Sequence, residues 1–344
     1  MRPSRWVELR RSGVDWWELA LESSLARQLF CHTSGVRSVI GTLGGDRARL
    51  LMATGEWLAE RFEEHRAHLR TVAYRMLGSA SEAEDAVQET WIRLGRSDVS
   101  DVASLRRWLT TVVARVCLDM LRTRTSRRED PLDVHLPDPI ITSGNWNPES
   151  EVMLADSVGL ALLIVLDALE PTERLAFVLH DVFGMTFDEI APIVDRSPVA
   201  ARQLASRARR RVQSKAPNPD RDLRQQRQVV EAFLAAVREG NFEGLVAVLD
   251  PDIVLRADGG ALAGASRVVR GAKAVAGQAA AFSKVGLSEQ IVLVNGSVGL
   301  LERRPDGKLF AVIGFTIANG RIAEMNILAD PERLRGLDLS ALSE

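Results

Sequence analysis

From Trp57 onward, apolar residues recur at spacings of three and four: Leu58, Phe62, Leu69, Val72, Ala73, Met76 and Leu77. That spacing lays them along one stripe of an α-helix. Gly78 ends the run, and Ser79, Ser81 and Glu84 form an N-terminal capping signature for a second helix predicted over Glu82–Leu94. A third is predicted from about Leu105 to Arg124. Residues 1–51 mix Trp6, Trp16 and Trp17 with glycine-containing stretches and hold no sustained period. Met52 stands at the change, so residues 1–51 read as a poorly ordered extension or an upstream start, and 52–128 as a helical domain.

Pro131, Pro137, Pro139, Gly144 and Pro148 exclude a long helix from residues 129–150, which read as a linker between domains. A second helical unit follows over 151–216, closed by Pro217 and Pro219. The pattern then changes for residues 217–344. A helix from about Leu223 to Arg238, a turn at Gly240 and Asn241 and a second helix to Leu249 precede β-rich runs such as Ile291–Val294 and Phe310–Ile317. Asn295-Gly296, Asp306-Gly307 and Asn319-Gly320 are hairpin turns between such runs, so a curved antiparallel sheet is predicted. The fold class is therefore multidomain: two all-α domains followed by an α+β domain.

Composition adds exclusions. The chain of 344 residues is long enough for two or three separately cored units. The formal net charge of −2 averages basic segments with acidic ones. Cys31 and Cys117 are the only cysteines, without pairing or metal-ligand spacing, so a disulfide framework and a cysteine zinc site are not expected. The longest apolar stretch, Val158–Leu169, is interrupted by Asp167 and too short to span a membrane; a helical core is its expected fate. Glu8, Asp15 and Glu18 interrupt any signal-peptide core, so a reducing cytoplasm is the expected compartment. No metal or cofactor is expected.

The segment Thr186–Lys215 reads as a helix-turn-helix. A short helix, Phe187–Val194, leads through Asp195 and Arg196 to Ser197, which caps a longer helix with Pro198 in its first position. That helix carries Arg202, Gln203, Ser206, Arg207, Arg209, Arg210 and Arg211 with no acidic residue, while Val199, Leu204, Ala205, Ala208 and Val212 supply an inward face. Arginine and glutamine can read base edges in a major groove while neighbouring cations hold phosphates. A basic solvated helix is the alternative, but the turn and cap chemistry favour DNA contact.

A second basic helix bears Arg106, Arg107, Arg115, Arg122, Arg124, Arg127 and Arg128, with Arg115, Asp119 and Arg122 on one face and Trp108 read as a core aromatic. Cations so placed can follow a phosphate backbone beside unstacked bases. Between the two domains' basic helices and the N-terminus lies Glu82–Trp91. Asp85, Gln88 and Glu89 project from one face there, beside Trp91 and Leu94, an acidic surface suited to a basic protein partner or simply to solvent.

These residues carry a family resemblance. Glu84-Asp85-Ala86-Val87-Gln88-Glu89-Thr90-Trp91, the run Trp108–Arg115 through Asp119 and Arg122, and Ala200–Arg209 occur in the order found in extracytoplasmic-function sigma factors, which the chain resembles from about Trp57 to Lys215. The resemblance implies that the two helical domains are sigma regions 2 and 4, and that Asp85, Gln88, Glu89 and Trp91 dock on the β′ clamp helices of core RNA polymerase. It also implies that the Arg106–Arg128 helix engages the melting −10 element and that the helix over Ser197–Arg211 binds the −35 element of promoter DNA, without catalysis by the chain itself.

The C-terminal part resembles a cone-shaped SnoaL-like domain of the nuclear-transport-factor-like fold, chiefly through Val230–Asp252 and the last strands. A sigma subgroup similar to this chain carries such a domain after region 4. His135-Leu136-Pro137 resembles its Trp-Leu-Pro linker motif with histidine in the aromatic position, and Asp258-Gly259-Gly260 its Asp-Gly-Gly-Gly loop, with Ala261 departing. Ala329–Leu334 is a loose form of its terminal motif. The implied role of these segments is regulatory: the cone packs near the linker and adjusts how the sigma domains spread. A small ligand in the cone is conceivable on this resemblance.

Two other readings stay open at this level. An autonomous helix-turn-helix regulator would need neither the Asp85–Glu89 face nor the second basic helix. An isomerase or hydrolase could use a desolvated carboxylate in the cone. Asp258 is the candidate, although Gly259 and Gly260 after it indicate a surface loop and no histidine or tyrosine lies near it in sequence.

Overall fold

The computed structural model describes residues 45–97, 99, 102–127, 134–143, 159–215, 219–260, 266–282 and 286–342. The chain divides into an N-terminal unit that ends at His65 and a body from Arg66 to the C-terminus. The expected extension over residues 1–44 lies outside the described residues. Helix α1, Gly45–Leu77, begins well before the predicted onset near Trp57.

Helices α2 (Ala80–Leu94) and α3 (Leu105–Arg127) follow. Ser79 caps α2, its hydroxyl accepting from the Glu82 backbone N–H, and Ala83, Ala86, Val87, Thr90 and Leu94 form the buried stripe. Leu109, Val113, Val116, Cys117 and Leu121 do the same for α3.

The second helical domain holds α4 (Leu160–Asp167), α5 (Pro171–Phe177) with a π-helical turn at Val178–Val182, α6 (Phe187–Val194) and α7 (Pro198–Lys215). The apolar stretch read as a helical core is α4, where Leu160, Leu163, Val165 and Leu166 are buried. Thr186 and Glu189 close a capping box at the start of α6, and Asp195 takes a left-handed conformation at its end. These local signals place the turn before α7 where the sequence predicts it.

The C-terminal domain contains α8 (Leu223–Glu239), α9 (Phe242–Val248), β2 (Leu249–Asp258), β3 (Arg267–Arg270), α10 (Ala272–Phe282), β4 (Ser288–Val294), β5 (Ser297–Arg303), β6 (Leu309–Ala318), β7 (Arg321–Leu328) and α11 (Pro331–Arg335). Strand β1, Ile141–Thr142, comes from the linker and pairs antiparallel with β4, giving a sheet ordered β1-β4-β5-β6-β7-β2-β3. Asn295 and Asn319 adopt positive φ ahead of Gly296 and Gly320, as tight hairpin turns require. The sheet departs from the all-antiparallel expectation at one place, because β2 and β7 run parallel.

Side chains alternate between the two faces of this sheet. On one face Ile253, Leu255, Leu300, Ile313, Phe315 and Met325 pack against α8, α9 and α10 in the domain's own core. On the other, Val292, Val294, Leu301, Val312 and Leu328 cluster with Ile141 of the linker, Leu160 of α4 and Leu334 of α11. Helix α4 comes so close that a Cβ on Gly314 would lie 2.8 Å from Leu160 Cδ2. The second face therefore holds the linker and the second helical domain.

Candidate polymerase and nucleic-acid interfaces

On α2 the buried stripe leaves Asp85 and Gln88 exposed and Glu89 and Trp91 partly so. Glu89 accepts from Arg93 Nε at 2.9 Å, and Ile92 adds an exposed apolar side chain. Leu94, placed beside this face in the sequence reading, is buried. Glu84 faces elsewhere and pairs with Arg66 of α1.

The candidate residues of α3 lie along an exposed row, and several reach neighbouring groups. Arg106 Nη2 lies 3.3 Å from His68 Nδ1, and Asp119 pairs loosely with Arg122 at 3.9 Å. Trp108 is half-buried, consistent with a packing role. Arg107 Nη2 meets Glu189 Oε1 of α6 at 2.9 Å, and Arg115 Nη2 donates to the Pro192 carbonyl of the same helix at 3.2 Å. Phe183, just after the π-helical turn, packs edge-on against His68 and under the guanidinium of Arg75. Deeper in, Arg124 pairs with Glu82, and Asp167 of α4 meets both Arg124 at 3.6 Å and the buried Arg174 at 3.1 Å. The two helical domains are thus bolted together across the basic face of α3.

Helix α7 is organised differently. Ala201, Leu204, Ala205 and Ala208 are buried, while Arg202, Gln203, Ser206, Arg207 and Arg210 are exposed. Arg207 and Arg211 both donate to buried Glu173 of α5, at 2.8 and 2.9 Å. Arg209 Nε donates to Asp181 at 2.9 Å, and Arg202 lies over the Phe187 ring. Hydrophobicity alone predicts an inward position for Val199. It is instead 66% exposed, because at 100° per residue it falls opposite the alanine and leucine stripe.

The regulatory candidates converge. Arg333 of α11 donates from Nη1 to Asp258 Oδ2 at 2.6 Å, from Nη2 to Asp138 Oδ1 at 2.6 Å, and from Nη2 to the Leu136 carbonyl. The Leu136 N–H donates to the same Asp258 oxygen at 2.9 Å. Pro137 is buried, and Asp138 accepts from the Ala80 N–H at 3.1 Å. The chain's one tyrosine, Tyr74, donates to the Asp138 carbonyl at 2.6 Å and accepts from Asn295 Nδ2 at 2.9 Å. Burial pushes its hydroxyl well above the ordinary phenol range.

Gly260 Nα donates to Asp258 Oδ1, and Gly259 Nα to Ser266. A Cβ on Gly260, whose φ is +69°, would sit 2.3 Å from Asp330 Oδ2, the side chain that caps α11 and so orients Arg333. That close approach is the physical demand behind the glycine.

Asp258 is therefore no surface-loop residue. It is 3% exposed at the end of β2, and His135 Nδ1 lies 3.9 Å from it, a neighbour that only the fold supplies. Burial and the nearby Arg333 charge hold the His135 imidazole below its ordinary value, against the opposing pull of Asp258. The Asp258 carboxyl oxygens are committed to the Arg333 guanidinium and to the backbone N–H groups of Leu136 and Gly260, so the side chain anchors the linker to the cone. Leu136, Pro137 and Pro139 close against Leu160, Val294 and Leu328, leaving no space for even a water molecule between them. Of these contacts, Asp138, Tyr74, Asn295 and Glu189 carried no signal in the sequence as functional residues, since each partner lies far away along the chain.

The comparisons agree with this geometry. Residues 61–127 match the family model "Sigma-70 region 2" and residues 160–212 match "Sigma-70, region 4". The chain is 36% identical over 298 residues to the ECF RNA polymerase sigma factor SigJ of Mycobacterium tuberculosis, covering 81% of this chain and 93% of that protein. It is 34% identical over 293 residues to the probable ECF RNA polymerase sigma factor SigI of the same species, covering 82% and 97%. The crystal structure of M. tuberculosis SigJ superposes with a TM-score of 0.64 at 32% identity, covering 82% of this chain and 99% of that one. Among the described residues no helix is long and apolar enough to cross a membrane. The sigma factor family is not enzymatic; its members bind core RNA polymerase and promoter DNA. On these grounds the chain belongs to the extracytoplasmic-function RNA polymerase sigma factors, in a SigJ-like form that ends in a SnoaL-like domain, and its function is to direct RNA polymerase to promoters.

Proposed function

We propose that the arrangement described here is the closed form of this sigma factor, in which region 4 covers the DNA-melting helix of region 2 and the SnoaL-like domain holds the linker that sets their separation. The observation that carries the reading is the ion pair of Arg107 with Glu189 at 2.9 Å. The −10 and −35 elements lie some 25 base pairs apart, roughly 85 Å along a duplex at 3.4 Å per pair. Helix α6 holds α3 through its side chains and packs on α7 in its own domain, so while those contacts last the two basic helices cannot occupy both elements at once, and α3 and α7 must separate before the two are gripped together.

Docking of Asp85, Gln88, Glu89 and Trp91 on the clamp helices of core polymerase supplies the driving interaction, because a ligand that binds the open form better shifts the population towards it. Opening frees Arg107 and Arg115 from α6, so that they join Arg106 and Arg122, already exposed on the same helix, against the melting strand. The linker limits how far the domains travel, and Arg333 is its clasp: one guanidinium joins Leu136 and Asp138 of the linker to Asp258 of the cone. Regulation thereby acts through the linker.

Run-off transcription with reconstituted holoenzyme tests the reading. Arg333→Ala should change promoter output severalfold while leaving core binding intact, and Asp85→Lys with Glu89→Lys should abolish holoenzyme assembly in a folded protein. Output from Arg333→Ala equal to that of the parent would remove the clasp from the mechanism.

A further inference from the structure

Helix α7 presents a narrow line to solvent. With Ala201, Leu204, Ala205 and Ala208 buried, a helical rotation of 100° per residue puts Val199, Gln203, Ser206 and Arg210 in the middle of the opposite face. The arginines on the two flanks of that line are held sideways: Arg207 and Arg211 by Glu173, and Arg209 by Asp181. The central line is what a groove would meet first.

Its chemistry is mixed in an informative way. Glutamine can pair with adenine and arginine with guanine through two hydrogen bonds each, whereas the thymine C5-methyl is recognised by apolar contact. Val199 is the apolar member of the line. At 66% exposure it touches little of its own domain, and it stands in the first turn of α7, the end that reaches base edges in helix-turn-helix complexes. The helix has no acidic residue in that turn to oppose a phosphate backbone.

We propose that Val199 is a specificity-determining residue of this sigma factor, reading the C5-methyl group of a thymine in the −35 element. The inference rests on the reading that α7 enters the major groove there. Val199 and Gln203 are four residues apart, about 6 Å along the helix, so the thymine lies within one or two base pairs of the pair addressed by Gln203.

The test uses holoenzyme and a promoter located by mapping transcription starts. Each thymine of the −35 element is replaced in turn by deoxyuridine, which deletes only the methyl group. The parent protein should lose about fourfold in affinity at one thymine, the worth of one buried methyl. Val199→Ala, a change at an exposed position that leaves the fold intact, should discriminate thymine from deoxyuridine less than the parent does, because the shorter side chain reaches the methyl less well, while keeping the parent's salt dependence. Deoxyuridine tolerated at every position by the parent, or Val199→Ala remaining as sensitive as the parent, would overturn the proposal. A scrambled −35 element separates the two levels. If scrambling leaves binding unchanged, the placement of α7 itself fails; if scrambling weakens binding but deoxyuridine does not, only the role of Val199 fails.

Discussion

Helices α3 and α7 both carry rows of arginine, yet their cations are engaged in opposite ways. Those of α3 reach outward into another domain, Arg107 to Glu189 and Arg115 to the Pro192 carbonyl. Those of α7 are braced by carboxylates of their own domain, Glu173 and Asp181, and leave the middle of the exposed face open. The contrast teaches that arginine content marks a nucleic-acid surface without saying whether it is available. On the proposed reading one grip is ready and the other must first let go of α6, which gives an initiation factor a natural order of events.

The largest expected effect lies at the clasp that keeps the linker in place. Removing Arg333 leaves Asp258 buried without its cation, a change that costs roughly 3 to 5 kcal/mol for a buried pair. A thermal melt should show it, and adding Asp258→Asn should recover part of the loss; a melt unchanged by Arg333→Ala would show that the linker is held by other means. Gly260→Ala should follow at about 1 to 3 kcal/mol, because a side chain at φ +69° is strained and its Cβ would displace Asp330. Asp330→Ala in the same background should then add little, since both changes loosen the same cap.

A smaller effect depends on pH. The His135 imidazole is held below its ordinary value in the closed form by burial and by Arg333. A depressed value means that the closed form is undisturbed above the unfolded imidazole value of about 6.5 and loses stability as pH falls below it. Titrating thermal stability from neutral to mildly acidic pH should reveal this slope, and His135→Gln should flatten it. The smallest effect concerns the contrast directly. Glu189→Gln breaks a pair whose arginine is 72% exposed, so stability should change by less than about 1 kcal/mol. Binding of single-stranded −10 DNA should nonetheless rise, and a similar change at Glu173 should act on duplex binding through α7 instead. Equal responses of both DNA forms to both variants would erase the distinction between the helices.

Much of this was legible in the sequence where the signal is local. The turn before α7 is written in Asp195, Arg196, Ser197 and Pro198, and the hairpins in Asn295-Gly296 and Asn319-Gly320. Sites formed by distant partners were not. Leu136 and Asp258 are 122 positions apart and Tyr74 and Asn295 are 221, so no window of sequence could join them. The parallel pairing of β2 with β7 and the linker strand β1 are non-local in the same sense. Val199 shows a different failure: hydrophobicity alone sent it inward, whereas its angular position on the helix sends it outward. The early start of α1 was hidden because Gly45 and Gly55 weaken helical propensity without preventing a long helix from continuing through them.

The central claim is that α3 and α7 part when the factor is engaged. Fluorescent labels placed at exposed Asp119 of α3 and Ser214 of α7, with Cys31 replaced, would report their separation by energy transfer in the free protein and in holoenzyme on promoter DNA. The account predicts high transfer in the free protein and a marked fall on engagement; transfer that stays high in an actively initiating complex would contradict it.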